Sequence, residues 1–295
     1  MRVAVTGSSG LIGTALVEHL TAGGHEVVRM VRRPARGPDE VTWDPTRGEL
    51  DPAALDGVDA AVNLAGAGVG DRRWTPAYKQ LIRSSRLDAT RTLVAALSAM
   101  PTPPRVLVSA SAEGFYGDRG DEVLTEHSTG GDSFLADVVR DWEAEAHRAE
   151  DAGIRVTTAR TGLVMAPQGG AFAKVLPLAR LGLAGPLGSG RQWWAWITMP
   201  DEVAALTHLL THEVSGPVNL CAPEPSRNGD VMRTLGSALH RPAWLPAPGF
   251  ALRLVLGEFA DDVLASIRMK PQVLQDSGFS YQHADLQDAV RWLVG

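Results

Sequence analysis

The chain has 295 residues, of which 44% are hydrophobic and 21% are charged, as is ordinary for a globular protein with one large domain and a smaller one attached. Its net charge of −6 argues against a nucleic-acid-binding protein, which would carry an excess of basic residues. Its single cysteine excludes an internal disulfide and a metal site built from several thiolates. With no signal-peptide pattern and no apolar run of about 20 residues, we expect a cytoplasmic protein that does not bind membranes.

Short β-rich runs alternate with stretches of helical periodicity along the first three quarters of the chain. Strands are predicted at 2–7, 26–31, 41–44, 59–66, 105–111, 155–164 and 217–223, and helices at 11–22, 76–99 and 134–152. Several of the strands are almost entirely apolar, which is typical of strands buried on both faces of a parallel sheet. The alternation therefore predicts an α/β fold with a doubly wound parallel sheet.

The pattern changes after about residue 165. Residues 166–192 are rich in glycine and proline with one helix at 171–181, and residues 224–295 are mainly helical with proline breaks. We predict that 1–165 and 193–223 form the large domain, and that 166–192 and 224–295 form a smaller, mainly helical C-terminal lobe. A ligand cleft would lie between this lobe and the carboxyl ends of the strands.

The first strand leads directly into "VTGSSGLIG" and then into a helix. Glycine allows the backbone to turn tightly and to approach a pyrophosphate, and the helix N-terminus offers free N–H groups to phosphates. The G-x-x-G-x-x-G spacing differs from the commoner G-x-G-x-x-G pattern, but the flanking strand and helix support a Rossmann-type cofactor site. The residues expected to contact the cofactor here are Gly7, Ser8, Ser9, Gly10, Leu11, Ile12 and Gly13.

The end of the second strand bears on which cofactor is bound. An NAD site presents Asp or Glu to the ribose 2′-hydroxyl about 20 residues beyond the last glycine, where this chain has Val31 followed by Arg32 and Arg33. Guanidinium groups pair well with a 2′-phosphate, so the sequence favours NADP(H) over NAD(H). Two arginines that simply face water at a strand end are the alternative.

Other strand ends and one helix position are consistent with a dinucleotide that lies across the sheet. Each of these residue types is also common in loops, so individually they say little. The expected cofactor contacts are Asn63, Leu64, Ala65, Gly66, Ser109, Arg140, Arg160, Thr161 and Gly162.

The chain resembles a known family along nearly its whole length. The stretches that carry the resemblance include "VNLAGAGVGDRRWTPAYKQLIRSSRLDATRTLV", "SASAEGFYGDRGDE", "FLADVVRDWEAEA", "RTGLVMAPQGGAFAKVLP" and "GPLGSGRQWWAWI". They are similar to short-chain dehydrogenases/reductases of the extended, sugar-nucleotide-epimerase kind, and more closely to the atypical epimerase family proteins with a helical C-terminal domain of unassigned function. The resemblance implies NADP(H) binding and a lobe that closes a substrate pocket. Thr198 stands where the subgroup is expected to have histidine.

The superfamily's Tyr-x-x-x-Lys pair is absent from this chain, because none of the three tyrosines has a lysine four residues later. Tyr116, after the fifth strand, and Ser111, at the end of that strand, are the candidate proton-transfer residues. The equally open alternative is that Tyr116 packs beneath the cofactor loop.

Candidate substrate-pocket residues lie in the glycine-rich part of the chain. Lys174 could meet an anionic substrate, although a surface lysine is an open alternative, and Arg191 with Trp193 suits a planar or anionic ligand. The tryptophans could equally pack at a hinge between the lobes. The expected pocket residues are Lys174, Arg191, Trp193, Trp196 and Thr198, and we expect no metal site.

These observations favour an NADP(H)-dependent oxidoreductase or an epimerase-like enzyme acting on a small molecule, with reduction of a carbonyl or activated double bond preferred. The alternative is a catalytically silent NADP(H)-binding sensor or scaffold. By analogy with the superfamily, helices 76–99 and 134–152 could pair two copies into a homodimer.

Overall fold

The computed structural model describes all 295 residues of the protein. The strands are β1 (Arg2–Thr6), β2 (Glu26–Val31), β3 (Glu40–Thr42), β4 (Ala60–Asn63), β5 (Val106–Ala112), β6 (Val123–Leu124), β7 (Arg155–Thr161), β8 (Leu163–Met165), β9 (Trp193–Trp194), β10 (Trp196–Thr198), β11 (Gly216–Leu220), β12 (Ser226–Arg227) and β13 (Arg268–Met269). The helices are α1 (Leu11–Ala22), α2 (Pro76–Ser98), α3 (Phe134–His147), α4 (Gly170–Arg180), α5 (Met199–Thr211), α6 (Asn228–Ala238), α7 (Gly249–Leu256), α8 (Phe259–Leu264), α9 (Gln272–Asp276) and α10 (Leu286–Val294).

Seven strands form one parallel sheet in the order β11-β7-β5-β4-β1-β2-β3. The chain starts in the middle at β1, winds outward to β3, and then continues from β4 in the opposite direction. Ligands of such sheets bind beside the carboxyl ends of the strands at the point where the winding direction changes. The predicted doubly wound α/β fold is therefore confirmed.

Helices cover both faces of the sheet, as the almost wholly apolar strands require. In β1, Val3 and Val5 face a cluster that contains α1 and α5, whereas Ala4 faces the opposite cluster, which contains α2 and α3. Three of the helices begin with a capping side chain that accepts a hydrogen bond from a backbone N–H of the first turn. The caps are Thr75 for α2, Ser133 for α3 and Thr198 for α5. These caps fix where the helices start and so fix the loops at the edge of the sheet.

The single strand predicted at 155–164 is divided at Gly162 into β7 and β8. A Cβ at Gly162 would lie 2.0 Å from the Ala195 carbonyl oxygen, because the two backbones touch at this point. The Gly162 amide donates to Leu220 and the next amide, Leu163, donates to Ala195. The chain thus leaves the large sheet at Gly162, and β8 pairs instead with β10.

The C-terminal lobe has its own apolar cluster, formed mainly by α4, α6 and α10 around Trp196. However, Leu274 of α9 is fully buried in the cluster that lies against the large sheet. The lobe also contacts the large domain through Phe259 of α8, whose ring centroid is 5.5 Å from that of Trp74. Residues after 224 are therefore shared between the two cores and do not form a separate unit.

Candidate cofactor and catalytic site

The glycine turn between β1 and α1 is packed as tightly as backbone contact allows. Gly7 has φ +63°, and a Cβ there would lie 2.6 Å from the Leu64 carbonyl oxygen. A Cβ at Gly13 would lie 2.1 Å from the Gly7 carbonyl oxygen, so only glycine permits this approach of helix and turn. The Leu11, Ile12 and Gly13 amides donate to no protein acceptor. They are free to bind the oxygens of a phosphate group.

Asn63 and Ser109, which were expected to touch the cofactor, are instead completely buried. Asn63 accepts from Thr6 through Oδ1 (2.7 Å) and donates through Nδ2 to Thr90 (2.8 Å) and Ser109 (3.3 Å). This network ties the carboxyl ends of β1, β4 and β5 to α2. The two residues lie beneath the surface at the carboxyl edge of the sheet. Because they have no exposed surface, the prediction that they contact the cofactor is corrected.

The loop after β4 remains accessible in the position expected for it. The Leu64 and Ala65 amides donate to the hydroxyl of Thr6 at 3.0 and 3.2 Å, and Gly66 is exposed. Thr6 was not anticipated as a site residue, although a hydroxyl at the end of β1 was visible in the sequence. It holds the backbone of this loop next to the glycine turn.

The arginine loop after β2 is organised by a carboxylate from the neighbouring strand. Glu40 accepts a bidentate pair from Arg33 (2.6 and 2.7 Å) and the amide of Arg36 (2.8 Å), and lies 3.1 Å from Arg29. The hydrogen bonds from Arg33 lower the pKa of Glu40 to about 2. Arg32 is exposed and forms no ion pair, as expected for a side chain that awaits an anion. The side chain of Arg36, not singled out from the sequence, is equally free.

The expected proton relay at Tyr116 is corrected by its position. Tyr116 is 0% exposed, and its hydroxyl donates to Asn219 (2.7 Å) and accepts from Arg160 (3.1 Å). Burial raises the pKa of Tyr116 to about 12. The alternative reading, a tyrosine packed beneath the cofactor loops, fits this environment.

Helix α3 contributes a carboxylate that is engaged within the protein. Glu143 of α3 forms two hydrogen bonds with Arg160 (2.8 and 2.9 Å) and accepts from Ser111 (2.6 Å). Arg160 also lies over the Phe115 ring, 3.5 Å from its centroid. Ser111 and Arg160 are thus internal partners of Glu143, which corrects the expectation that they contact ligands.

The remaining expected cofactor residues are also engaged within the protein. Thr161 donates to Glu202 (2.8 Å), and Gly162 is the close backbone contact with Ala195 described above. Arg140 is exposed on α3, donates to the Gly131 carbonyl and pairs with Asp137. Of this group, Arg140 is exposed, whereas Thr161 and Gly162 are partly buried.

Two carboxyl groups that the sequence reading passed over lie at the carboxyl edge of β5 and β7. Glu113 begins a 3-10 turn directly after β5, is partly exposed, and has no hydrogen-bond partner or ion-pair partner in the protein. Burial raises its pKa to about 8. Glu202 of α5 is completely buried, and burial raises its pKa to about 8 as well. Neither carries a spacing signature, so only their position in the fold distinguishes them.

The expected substrate-pocket residues do not converge on one site. Trp196 is fully buried in the lobe core, and Thr198 is a buried N-cap whose hydroxyl contacts Asp201 and His283. The guanidinium groups of Arg227 and Arg268 lie 4.3 and 4.5 Å from the ring centroid of Trp193. Trp196 and Thr198 therefore do not line a substrate pocket as predicted. The contacts of the tryptophans fit the alternative, in which they pack between parts of the protein.

Lys174 and Arg191 keep the accessibility that a ligand contact requires. Lys174 on α4 donates to the Gly70 carbonyl (3.1 Å), so it spans from the lobe to the loop that follows β4. Arg191 is exposed. No group of three or more histidine, cysteine or acidic side chains is arranged to hold a metal ion, and no helix is long and apolar enough to cross a bilayer.

A family model described as NAD dependent epimerase/dehydratase family matches residues 3–221, and a domain of unknown function, DUF1731, matches residues 247–293. The chain belongs to the NAD dependent epimerase/dehydratase family. Epimerase family protein Mb2239 of Mycobacterium bovis is 43% identical over 290 residues, covering 98% of this chain and 96% of that protein. Human epimerase family protein SDR39U1 is 38% identical over 299 residues, covering all of both chains.

Solved structures extend this family assignment to the fold. A crystal structure of human SDR39U1 (isoform 2) with NADPH has a TM-score of 0.93 at 36% identity and covers 99% of each chain. The UDP-glucuronic acid 4-epimerase of Bacillus cereus, at 15% identity and a TM-score of 0.77, shares the fold alone. The predicted family resemblance is thereby confirmed, and a nucleotide cofactor site is supported.

The residues of this family member fit a dinucleotide. The glycine turn brings the N-terminus of α1 against the end of β1 with no side chain in between, three amides at that N-terminus have no acceptor, and Arg32 has no anionic partner. When bound, a nicotinamide dinucleotide supplies hydride chemistry. The amides would hold its pyrophosphate, and the arginine loop would hold the adenosine end.

Proposed function

We propose that this protein is an NADP(H)-dependent oxidoreductase that reduces a carbonyl group or an activated double bond of a small molecule. The observation that carries this proposal is the carboxyl group of Glu113, which directly follows β5 at the carboxyl edge of the sheet. It has no partner within the protein, and it is still largely protonated at neutral pH because burial raises its pKa to about 8. Such a group can give a proton to a substrate that receives a hydride.

Glu113 stands on the side of the crevice where a substrate would approach. Ala112, which precedes it, pairs with Thr161 at the end of β7. Because β5 lies next to β7 in the sheet, Glu113 lies toward the β7–β11 half. The glycine turn and arginine loop lie in the other half, at β1 and β2. A dinucleotide held by that half would direct its reactive end toward Glu113.

Reduction requires the fewest groups of the reactions considered. The hydride would go to the substrate carbon and the Glu113 proton to the oxygen or adjacent carbon, which leaves Glu113 as a carboxylate that water reprotonates. Epimerisation of a sugar would also need a base that first removes a hydroxyl proton. Tyr116, the tyrosine nearest the site in sequence, is buried and already donates to Asn219. These facts support reduction over epimerisation.

The preference for NADP(H) rests on the loop after β2. Val31 occupies the position where an acidic residue would bind the 2′-hydroxyl of NAD, and Arg32 and Arg36 offer free guanidinium groups there. The human relative with 36% identity was crystallised with NADPH. Both observations favour NADP(H).

The first experiment is to titrate the protein with NADPH and NADH, and then to follow absorbance at 340 nm with a panel of ketones, aldehydes and enones. We expect tighter binding of NADPH and oxidation of NADPH in the presence of a reducible substrate. Glu113→Gln should lower kcat by about 10²- to 10⁴-fold with the NADPH Kd unchanged. The control is Glu122→Gln, at an exposed glutamate paired with Arg119.

The rival function is an NADP(H)-binding sensor without turnover. The observation in its favour is that Glu143 and Arg160, both at the carboxyl half of the sheet, bind each other and are not free to react with a ligand. Tight NADPH binding with no oxidation across the whole panel would favour the sensor. Failure to bind either cofactor would contradict both functions.

A further inference from the structure

The exposed apolar surface of this protein is concentrated in one part of the C-terminal lobe. Eleven large hydrophobic side chains are exposed in the whole chain, and eight of them lie within residues 178–183 and 244–255. The most exposed are Trp244 (76%), Phe250 (75%) and Leu254 (75%), and α7 has no buried residue at all. Proteins that act alone in water seldom expose contiguous apolar surface on this scale. We call residues 178–183 and 244–255 the apolar face.

Hydrogen bonds join residues 180–188 to residues 241–247, two stretches that overlap or directly adjoin the segments of the apolar face. The Gly188 amide donates to the Ala247 carbonyl (2.8 Å), and the Ala247 amide donates to the Pro186 carbonyl (2.9 Å). Arg241 donates through Nε to the Arg180 carbonyl (3.0 Å). Helix α7 starts two residues beyond Ala247. The exposed side chains of both segments therefore belong to one region of the surface.

The charge of this region is opposite in sign to that of the whole molecule. The protein has a net charge of −6, yet residues 153–200 and 231–257 contain no aspartate or glutamate. Lys174, Arg180 and Arg241 lie in or beside the apolar face and form no ion pair, whereas Arg253 of α7 pairs with Asp261 of α8 at the other edge of the face. Exposed apolar side chains rimmed by unpaired cations match the surface of a bilayer with anionic lipids.

We propose that the apolar face binds the surface of an anionic phospholipid bilayer. Phe250, Leu254 and Trp244 enter the boundary between headgroups and acyl chains, and tryptophan is favoured there because its ring is amphipathic. The arginines and Lys174 lie at the phosphate level. Two copies of this chain are a poorer match for each other, because their basic rims would face one another. No helix spans a bilayer, so the attachment is peripheral.

The test is sedimentation of the full-length protein with vesicles of phosphatidylcholine alone and of phosphatidylcholine mixed with phosphatidylglycerol. We expect binding to the mixed vesicles, weaker binding as salt is raised, and a blue shift of tryptophan emission that is absent in Trp244→Phe. The double variant Phe250→Ser/Leu254→Ser should bind the mixed vesicles at least about tenfold more weakly, because the two serines bury much less apolar surface in the bilayer. Arg180→Glu should weaken binding to the mixed vesicles as well.

The matched control is Leu81→Ser/Val123→Ser, which removes two exposed apolar side chains from α2 and β6, outside the apolar face. All variants should keep the NADPH affinity of the parent protein, which shows that they are folded. The proposal is overturned if neither vesicle binds the protein, or if the control weakens binding as much as Phe250→Ser/Leu254→Ser. It is also overturned if light scattering shows a dimer that this double variant disperses, because a second copy would then cover the face.

Discussion

At the scale of single residues, the fully buried hydroxyl of Tyr116 joins Asn219, Arg160 and the Thr125 carbonyl. A phenylalanine at this position would leave the Asn219 carbonyl oxygen without its donor in a buried environment. Tyr116→Phe should therefore lower the free energy of unfolding by about 1–3 kcal/mol, measured by urea denaturation. The rate of substrate reduction should stay within about twofold, since the hydroxyl does not reach a ligand. Loss of turnover with an unchanged free energy of unfolding would show that Tyr116 takes part in proton transfer.

Under the proposed function, Arg32 and Arg36 are the residues expected to distinguish the two cofactors. Each can form a charge-assisted hydrogen bond with a 2′-phosphate that NADH lacks. Arg32→Ala should raise the Kd for NADPH by about tenfold to a hundredfold, equivalent to about 1.5–3 kcal/mol, and leave the Kd for NADH unchanged. Fluorescence titration of both cofactors measures this, with Arg47→Ala as the control at an exposed arginine paired with Glu49. An equal loss for both cofactors would place Arg32 away from the 2′-phosphate.

At the scale of elements, the contact between α1 and the glycine turn sets the geometry of the phosphate site. An alanine methyl group at position 13 would lie 2.1 Å from the Gly7 carbonyl oxygen, so the helix must move away from the turn. Gly13→Ala should abolish NADPH binding and lower the melting temperature. Gly23→Ala is the control, because a Cβ at the end of the same helix meets its neighbours at 3.4 Å. Calorimetry of both variants with and without NADPH measures both effects. Normal NADPH binding by Gly13→Ala would contradict the claim that the contact between Gly13 and Gly7 sets the geometry of the phosphate site.

Elements whose signal is local could be predicted from the sequence. The apolar strands and their alternation with helices predicted the parallel sheet, and the glycines predicted the tight turn between β1 and α1. Arg160 and Glu143 could not be predicted as partners, because α3 must first pack on the sheet to bring them together. The position of Trp196 could not be predicted either, because a tryptophan in a glycine-rich segment gives the same sequence pattern whether it lines a pocket or packs in a core.

Glu113 escaped notice for a related reason. A glutamate in a turn is an ordinary solvated residue by sequence, and its raised pKa arises only from the surface that the fold places around it. The break at Gly162 was equally invisible, since the residues on both sides have strand character and the cause is the backbone of Ala195, more than thirty residues later.

At the scale of the whole molecule, buried carboxyl groups make stability depend on pH. The folded-state pKa of Glu202 is raised to about 8 by burial, above the value of about 4.3 for an unfolded chain. The folded protein then holds a proton that the unfolded chain releases, so stability is full below about pH 4.3 and falls as pH rises toward 8. Its Oε2 atom has no hydrogen-bond partner, which adds to the cost of ionisation.

Glu202→Gln should remove this dependence, because the amide stays neutral and can still accept from Thr161. We expect the free energy of unfolding of the variant to exceed that of the parent at pH 8.5 by an amount on the order of a few kcal/mol, and the two to converge near pH 5. Urea denaturation across this pH range gives both curves. Glu213→Gln, at an exposed glutamate near the other end of α5, is the control. Parallel curves for parent and Glu202→Gln would show that Glu202 is ionised in the folded state.

The ion pairs of Glu40 have a consequence for how cofactor choice can change. Because this carboxylate already holds Arg33 and the backbone of Arg36, the loop is ordered before any nucleotide arrives, and binding does not have to bear the entropy of fixing it. If this loop discriminates between the two nucleotides as proposed, that discrimination depends on a residue that contacts neither of them. In a lineage of related proteins, a change at Glu40 could relax that discrimination while every arginine of the loop stays in place.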